Sequence, residues 1–313
     1  METIENLIVE LTTLCNLKCI HCGYRMLQPS CVIEKKGFIS IVNRLANYGL
    51  QTVMLTGGEP TLYPELLQIV QFCKQNHLRV KIATNGSNTT PILTLLQEDL
   101  LDELVISVDA VTEETYLSIR GRDMLHQIYG FIEQHPQFSD RIHLSYLVQK
   151  KNYKELIPFL RRANALNIAK VSLLAPHYNN DFTSLLNQKK YRSDLYLSDE
   201  ESMELQQIVA PQLKSFYFNN KEMFTCSSKH IDALIDYLCN PDAKYSFRVT
   251  TCAFPLKSVF LYADGSVSLC PYYPNWKTDL DSFLSSIKVS RVHCIFEGKE
   301  KDSYCRRCLE VPL

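Results

Sequence analysis

The chain has 313 residues, enough for one large domain with a small addition, and 46% of them are hydrophobic. A formal net charge of −1 indicates neither a nucleic-acid-binding surface nor an acidic tail. No apolar run approaches the ~20 residues of a membrane helix, and the N-terminus lacks the basic segment of a signal peptide. Twelve cysteines in a chain without a signal peptide favour metal or redox chemistry over disulfides. Together these features predict a cytoplasmic protein without nucleic-acid or membrane partners.

Strand-like apolar runs alternate with amphipathic helix-like runs over the first half of the chain. The predicted strands are Leu7–Leu11, Val53–Thr56, Val80–Thr84, Leu104–Val108, His143–Val148 and Val171–Leu174. The predicted helices between them are Phe38–Tyr48, Pro64–Gln75, Pro91–Gln97, Leu125–Gln134 and Tyr153–Leu166. Six such units are too few for a closed eight-stranded barrel. We therefore predict an α/β fold, a partial (β/α)6 TIM-like barrel whose ligand site lies at the carboxyl ends of the strands.

Three cysteines follow the first predicted strand with the spacing C-x3-C-x2-C: Cys15, Cys19 and Cys22. A structural zinc site needs four ligands, whereas three cysteines leave one iron of a [4Fe–4S] cluster open to another molecule. On these three residues alone, part of a zinc site completed elsewhere in the chain is a serious alternative.

Small and polar residues follow the next three predicted strands. The second strand ends in the run Gly57, Gly58, Glu59 and Pro60, which by itself is an ordinary turn. Thr84 and Asn85 end the third strand, while Ser107 and Asp109 share one face at the end of the fourth. Capping of the strand ends by small polar residues is the simpler explanation for these two pairs.

Together, the cysteine triplet and the Gly-Gly-Glu-Pro run resemble the radical S-adenosylmethionine (SAM) superfamily, whose cluster chelates SAM and cleaves it to a 5′-deoxyadenosyl radical. The resemblance implies that the Gly57–Pro60 run holds the amino group of SAM, and that polar groups at the next strand ends face its ribose and methionine parts. His21 stands where the family usually has an aromatic residue near adenine. Arg120 is implied as a ligand of the SAM carboxylate, with a solvated arginine at a helix end as the alternative.

The chain after the barrel divides into two parts. Residues 177–250 are polar, aromatic and mostly helical, with helices predicted at Ser198–Phe218 and Ser228–Cys239, and we interpret them as a linker or insertion that contributes to substrate binding. The predicted domains are thus 1–176, 177–250 and 251–313.

Four cysteines in the last part form two pairs, Cys252 with Cys270 and Cys305 with Cys308. A β-hairpin is predicted between the first two, from Lys257–Ala263 and Ser266–Leu269 around the turn Asp264-Gly265. The spacing alone does not distinguish zinc from iron and sulfur. It resembles the Twitch type of the SPASM/Twitch extension of radical SAM enzymes, which implies a second, auxiliary [4Fe–4S] cluster held by these four cysteines, with Cys294 as a replacement for one.

Most of the remaining cysteines are predicted to be buried free thiols. Cys226 lies in a polar segment just before a predicted helix, where its thiol would be able to donate a hydrogen atom to a substrate radical. A structural role remains the alternative.

The resemblance gives a reaction class and leaves the substrate open. We expect hydrogen abstraction from a small polar, sugar- or aminocyclitol-like substrate. Oxidation with the auxiliary cluster as electron acceptor is favoured over epimerisation, and a flavodoxin or ferredoxin is the implied electron donor. A peptide-modifying maturase is the main alternative, although only fourteen residues precede Cys15. A molybdopterin-pathway role fits poorly, because that family's auxiliary cysteine spacing differs and its chain ends in Gly-Gly. A non-enzymatic zinc protein would leave the Gly-Gly-Glu-Pro run unexplained.

Overall fold

The computed structural model describes residues 3–27, 30–176, 193–240, 257–268 and 277–287. Within these ranges eight strands form a single sheet in the order β6-β5-β4-β3-β2-β1-β7-β8. The strands are β1 (Asn6–Thr12), β2 (Thr52–Gly57), β3 (Arg79–Thr84), β4 (Glu103–Ser107), β5 (Ile142–Leu147), β6 (Lys170–Leu174), β7 (Ser258–Leu261) and β8 (Val267–Ser268). All neighbouring pairs from β1 to β6 are parallel.

Helices connect the strands and cover one face of the sheet. Those of the first part are α1 (Lys35–Ala46), α2 (Leu66–Gln75), α3 (Thr90–Gln97), α4 (Glu113–Arg120), α5 (Leu125–Gln134) and α6 (Leu156–Ala165). The later ones are α7 (Asp199–Glu204), α8 (Ala210–Asn219), α9 (Ser228–Cys239) and α10 (Leu280–Ile287). This confirms the predicted α/β fold, an open parallel sheet of the partial-barrel type. None of the helices in the described ranges has the length and apolar character needed to cross a membrane.

The two faces of the sheet differ in chemistry because side chains alternate along each strand. In β1, Leu7, Val9 and Leu11 are fully buried in the large core formed with the helices. The alternate residues, Ile8 and Glu10 among them, lie on the opposite face, which we call the inner face. The inner face carries most of the polar side chains that the strands contribute.

The predicted hairpin is present, but its position was not anticipated. β7 and β8 pair antiparallel around Asp264-Gly265, where Gly265 has a φ of +83° and the Ser266 N–H donates to Asp264 Oδ1 over 2.9 Å. β7 also pairs in parallel with β1, so that Phe260 lies beside Ile8. The hairpin therefore extends the main sheet.

The helix predicted at Ser198–Phe218 is interrupted. A π-helical turn, Leu205–Val209, separates α7 from α8. Pro211 follows directly, and in a continuous α-helix it would have no N–H to donate to the carbonyl of Gln207. The π turn is one way in which a chain accommodates such a missing hydrogen bond.

Candidate cofactor and metal site

The three N-terminal cysteines lie in a loop that leaves the carboxyl end of β1. Cys19 is buried, while Cys15 and Cys22 are partly buried. Backbone hydrogen bonds tie this cysteine loop (residues 15–22) to the end of α4: the Lys18 N–H donates to the Arg120 carbonyl over 3.2 Å, and the Ile20 N–H to that of Ile119 over 2.9 Å. The loop is therefore held from both sides, by its own strand and by a helix about one hundred residues later in the chain.

The glycines after β2 allow the backbone to touch this loop. The Gly58 N–H donates to the Thr12 carbonyl and the Glu59 N–H to the Leu14 carbonyl, both over 2.7 Å. A Cβ atom on Gly58 would lie 2.1 Å from the Leu14 carbonyl oxygen, and one on Gly57, whose φ is +130°, 2.4 Å from that of Thr12. Both positions therefore require glycine, because any side chain would collide with the backbone that leads into Cys15.

Glu59 is fully buried. Its Oε1 accepts hydrogen bonds from the Thr61 and Thr84 hydroxyl groups, both over 2.6 Å. Its Oε2 accepts one from the Asn85 N–H over 2.7 Å. The carboxylate thus joins the ends of β2 and β3, and Pro60 begins the short 3-10 turn that follows it.

Asn85 connects the end of β3 to the cysteine loop. Its side-chain Nδ2 lies 3.7 Å from Cys15 Sγ and donates to Asn16 Oδ1 over 2.9 Å. Thr84 and Asn85 are both buried. Both were predicted to belong to the site: Asn85 does lie at Cys15, while Thr84 contacts Glu59.

Asp109 and Arg120 form a buried ion pair beside Cys19. Arg120 Nη2 lies 2.5 Å from Asp109 Oδ2, and Arg120 Nη1 lies 3.7 Å from Cys19 Sγ. Burial lowers the pKa of Arg120, but the charge of Asp109 and the neighbouring Cys19 outweigh this and raise it. The alternative of a solvated arginine is wrong, since only 6% of Arg120 is exposed.

Gln149 was missed by sequence analysis. It follows β5, is fully buried, and its side-chain Nε2 lies 3.5 Å from His21 Nδ1. The Gln149 Oε1 and Arg120 Nε atoms are both buried without a hydrogen-bond partner. Such atoms are uncommon in a protein interior, and a polar ligand next to these two would supply the missing hydrogen bonds. The position of Gln149 just after the end of β5 was the one feature of the sequence that could have identified it as a site residue.

His21 and Ser107 lie at the same edge of the sheet. His21 Nε2 is 3.9 Å from Asp109 Oδ2. Ser107 is partly buried at the last position of β4, on the inner face. The predicted site residues of the first 176 residues are therefore gathered around the carboxyl ends of β1 to β4.

Cys226 is not brought to this edge. The segment before it pairs with the start of β6, where the Thr225 N–H donates to the Val171 carbonyl over 3.1 Å. Cys226 itself is buried in the large core on the helix side of the sheet, together with Val171 and Leu173, and so does not lie on the inner face. The thiol is 8% exposed, and burial raises its pKa to about 11. This position gives no support to a hydrogen-donor role. The cysteines at 252, 270, 294, 305 and 308 lie outside the described residues.

The residues present fit a [4Fe–4S] cluster. Burial raises the pKa of all three thiols, that of Cys22 to about 12, and iron would replace their protons outright. In the described residues no three His, Cys, Asp or Glu side chains meet as ligands of one ion. A cubane does not require this, because each cysteine binds a different iron. The Arg120 guanidinium also supplies a positive charge next to Cys19, where thiolate charge would accumulate.

Known proteins are similar to this chain in sequence and in fold. The model of the radical SAM superfamily matches residues 9–181. A probable GTP 3′,8-cyclase of Saccharolobus islandicus is 30% identical over 177 residues, 56% of this chain and 58% of the relative. The chain thus spans little more than half the length of that relative. A probable GTP 3′,8-cyclase of Sulfolobus acidocaldarius is 23% identical over 286 residues, 90% of this chain and 86% of the relative.

Two solved structures share the fold. Streptococcus suis SuiB bound to S-adenosylmethionine is 16% identical with a TM-score of 0.69, covering 98% of this chain and 71% of SuiB. A structure of anSMEcpe with bound AdoMet and a peptide is 16% identical with a TM-score of 0.68, covering 98% and 88%. At this identity the likeness extends to the fold alone.

Proposed function

Since this chain belongs to the radical SAM superfamily, we propose that it uses SAM to abstract a hydrogen atom from a small, polar, hydroxylated substrate. The observation that carries the proposal is the cysteine loop, held at the carboxyl edge of the sheet by Gly58, Asn85 and the Asp109–Arg120 ion pair. A turn with no ligand to hold would not need two glycines in backbone contact or a buried charge beside a thiol.

The cysteine loop would hold a [4Fe–4S] cluster through Cys15, Cys19 and Cys22. When bound, such a cluster supplies the electron that cleaves SAM to a 5′-deoxyadenosyl radical. We expect an electron donor of the flavodoxin or ferredoxin class to provide that electron.

The residues around the loop would bind and orient SAM. We expect the carboxylate of Glu59 to attract the amino group and the Arg120 guanidinium to attract the carboxylate. The unpaired Oε1 of Gln149 would accept a hydrogen bond from a ribose hydroxyl or the adenine amino group, and His21 would pack nearby. Burial of these groups excludes water, which strengthens each of these interactions.

We further propose a second cluster, held by Cys252, Cys270, Cys305 and Cys308, as the electron acceptor in a net oxidation. Support for this part comes from the sequence alone. Epimerisation would need a hydrogen donor that faces the substrate, and the burial of Cys226 in the core on the helix side of the sheet argues against its serving as one.

A nucleotide cyclisation is the second candidate. Its support is the similarity over 90% of this chain to a relative named probable GTP 3′,8-cyclase. The spacing of the cysteines near the C-terminus is the feature that speaks against a molybdopterin-pathway role. Substrate assays must decide between the two candidates.

The test is anaerobic reconstitution followed by iron analysis and product detection. We expect about eight irons per chain in two clusters, and release of 5′-deoxyadenosine from SAM on reduction. Replacing Cys15, Cys19 and Cys22 together with Ala should leave about four irons and abolish SAM cleavage. A stoichiometric zinc ion with no second cluster in Mössbauer spectra would defeat the auxiliary-cluster part. Formation of a cyclised nucleotide from GTP, with no oxidation of polyols, would favour the second candidate.

A further inference from the structure

A chain of hydrogen bonds crosses the inner face of β4, β5 and β6, away from the cysteine loop. Glu103 Oε1 lies 3.0 Å from His143 Nδ1, and His143 Nε2 lies 2.8 Å from Ser172 Oγ. Ser172 Oγ in turn lies 2.7 Å from the Thr225 hydroxyl. Glu103 and His143 are buried, whereas Ser172 is partly exposed. A carboxylate, an imidazole and a hydroxyl are thus aligned in the order that activates a hydroxyl group.

The charges around this chain fix the direction of its hydrogen bonds. Burial raises the pKa of Glu103, but the hydrogen bond from His143 and the charges of Lys81 and Lys170 lower it to about 2. The ionised carboxylate only accepts hydrogen bonds, so the proton of a neutral His143 is on Nδ1. Nε2 is then the acceptor for the Ser172 hydroxyl.

Two ammonium groups hold the carboxylate in place. Lys81 Nζ on β3 lies 3.3 Å and Lys170 Nζ on β6 lies 3.4 Å from Glu103 Oε2. With Glu103 on β4, these are the charged groups that face His143 from the neighbouring strands. They leave Oε1 for the imidazole.

Register puts two further serines in line with Ser172. Ser107 pairs with Ser145, and Ser145 pairs with Ser172, so the three lie on adjacent strands about 4.8 Å apart. All three are partly exposed and point away from the helices, since their chain neighbours Ile106, Leu144 and Leu173 are buried in the core. The row begins at the carboxyl edge, at Ser107, and ends at the His143–Ser172 pair.

We propose that this row is the substrate site for a polyhydroxylated ligand, and that Ser172 with His143 accepts a proton from one of its hydroxyl groups. The ligand O–H gives its proton to Ser172 Oγ as the Ser172 proton moves to His143 Nε2. The ligand oxygen is left as an alkoxide and His143 as an imidazolium whose charge Glu103 balances, and no electron is transferred in this step. This inference deepens the proposed function and rests on it.

The experiment is NMR of reconstituted protein labelled with 15N-histidine, using myo-inositol as the probe and glucose 6-phosphate as an anionic comparison. His143→Gln identifies the His143 signals. We expect the Nδ1–H tautomer near neutral pH and a shift of the Nε2 signal on addition of inositol. Ser172→Ala should weaken inositol binding at least tenfold without changing SAM affinity. His126→Gln and Ser40→Ala, both exposed on helices, are the matched controls and should change neither.

Three results would overturn the inference: the Nε2–H tautomer, an inositol affinity unchanged by Ser172→Ala, or binding of glucose 6-phosphate only, which would make Lys81 and Lys170 an anion site. If His143→Gln does not fold, Ser172→Ala and Ser145→Ala carry the test, since each removes a single hydroxyl. Iron content and 5′-deoxyadenosine release, measured on the same samples, report the proposed function separately from inositol binding.

Discussion

Two regions of the inner face, one at β1 and β2 and the other at β4 to β6, bury polar groups in different ways. On the β1–β2 side, polar groups are satisfied by backbone groups and hydroxyls: Glu59 by Thr61, Thr84 and Asn85. On the β4–β6 side, the buried carboxylate of Glu103 is satisfied by charged or ionisable side chains. Backbone contacts fix geometry closely, while side chains can exchange protons. The first side is therefore suited to hold a cofactor and the second to handle a proton.

Two buried glutamates on this face show the difference directly. Glu10 on β1 accepts from the Tyr24 hydroxyl over 2.5 Å and from the Ala263 N–H over 3.1 Å, and burial raises its pKa. Glu103 is about equally buried, yet the hydrogen bond from His143 and the two lysines lower its pKa. Partners therefore decide the direction in which the pKa of a carboxylate shifts at similar burial.

The largest expected effect comes from Gly58→Ala on the cofactor side. Because the new Cβ would meet the Leu14 carbonyl at 2.1 Å, the backbone leading into Cys15 must move. We expect a loss of at least about 3 kcal/mol in the free energy of unfolding, and failure to load the first cluster. Chemical denaturation and iron analysis measure both. Gly37→Ala is the matched control, since nothing lies within 4 Å of that position in α1, and should be neutral or stabilising. Normal iron loading in Gly58→Ala would refute the tight contact.

Glu59→Gln tests the cofactor side with a smaller change, because it removes a charge and keeps the size of the side chain. It should weaken SAM binding by ~1.5–3 kcal/mol, roughly ten- to a hundredfold, because a charged partner of the SAM amino group is lost. Equilibrium binding to the cluster-loaded variant measures this. Glu65→Gln, which removes a surface ion pair with Lys35, should leave SAM affinity unchanged. Equal SAM affinity in the two variants would make Glu59 a purely structural joint between β2 and β3.

Glu103→Gln probes the proton-handling side. A folded-state pKa of about 2 lies below the ordinary 4.5, so this group stabilises the fold above pH 4.5 and loses that contribution as pH falls toward 2. We expect Gln to cost about 1 kcal/mol at neutral pH, a modest value since Lys81 and Lys170 are partly solvated. The variant should also unfold less steeply in acid than the parent. If the variant and the parent had identical acid-unfolding profiles, Glu103 would not be the ionised carboxylate of this hydrogen-bond chain.

Glu10→Gln should have the smallest effect and the opposite pH dependence. Because its folded-state pKa is raised, Glu10 favours folding below 4.5, and this is lost as pH rises through the folded value. We expect a change under about 1 kcal/mol at neutral pH, since a neutral side chain still accepts from Tyr24. Thermal unfolding between pH 4 and 8 should be flatter for the variant. A steeper profile would contradict the raised pKa.

Sequence reasoning predicted the features that are encoded locally. The six strands follow from periodicity, and the cysteine loop and glycine run from spacing. It missed the pairing of β7 with β1, because no local pattern specifies a partner so distant in the chain. It also missed the alignment of His143 with Glu103 and Ser172, which depends on register between strands. Glu59 and Arg120 do lie beside the cysteine loop, while their roles toward SAM stay predictions; their burial depends on packing that the sequence does not display.

The position of β7 has a consequence for synthesis of the chain. One edge of β1 stays unpaired until a partner 252 positions later emerges from the ribosome, as the Asn6–Ser258 contact shows. At about 5–20 residues per second this takes roughly 10–50 s. During that time an apolar strand edge is a template for pairing with other chains. Premature termination between the end of β6 and residue 258 would leave that edge permanently open, so such truncated products should aggregate even though all six parallel strands are present.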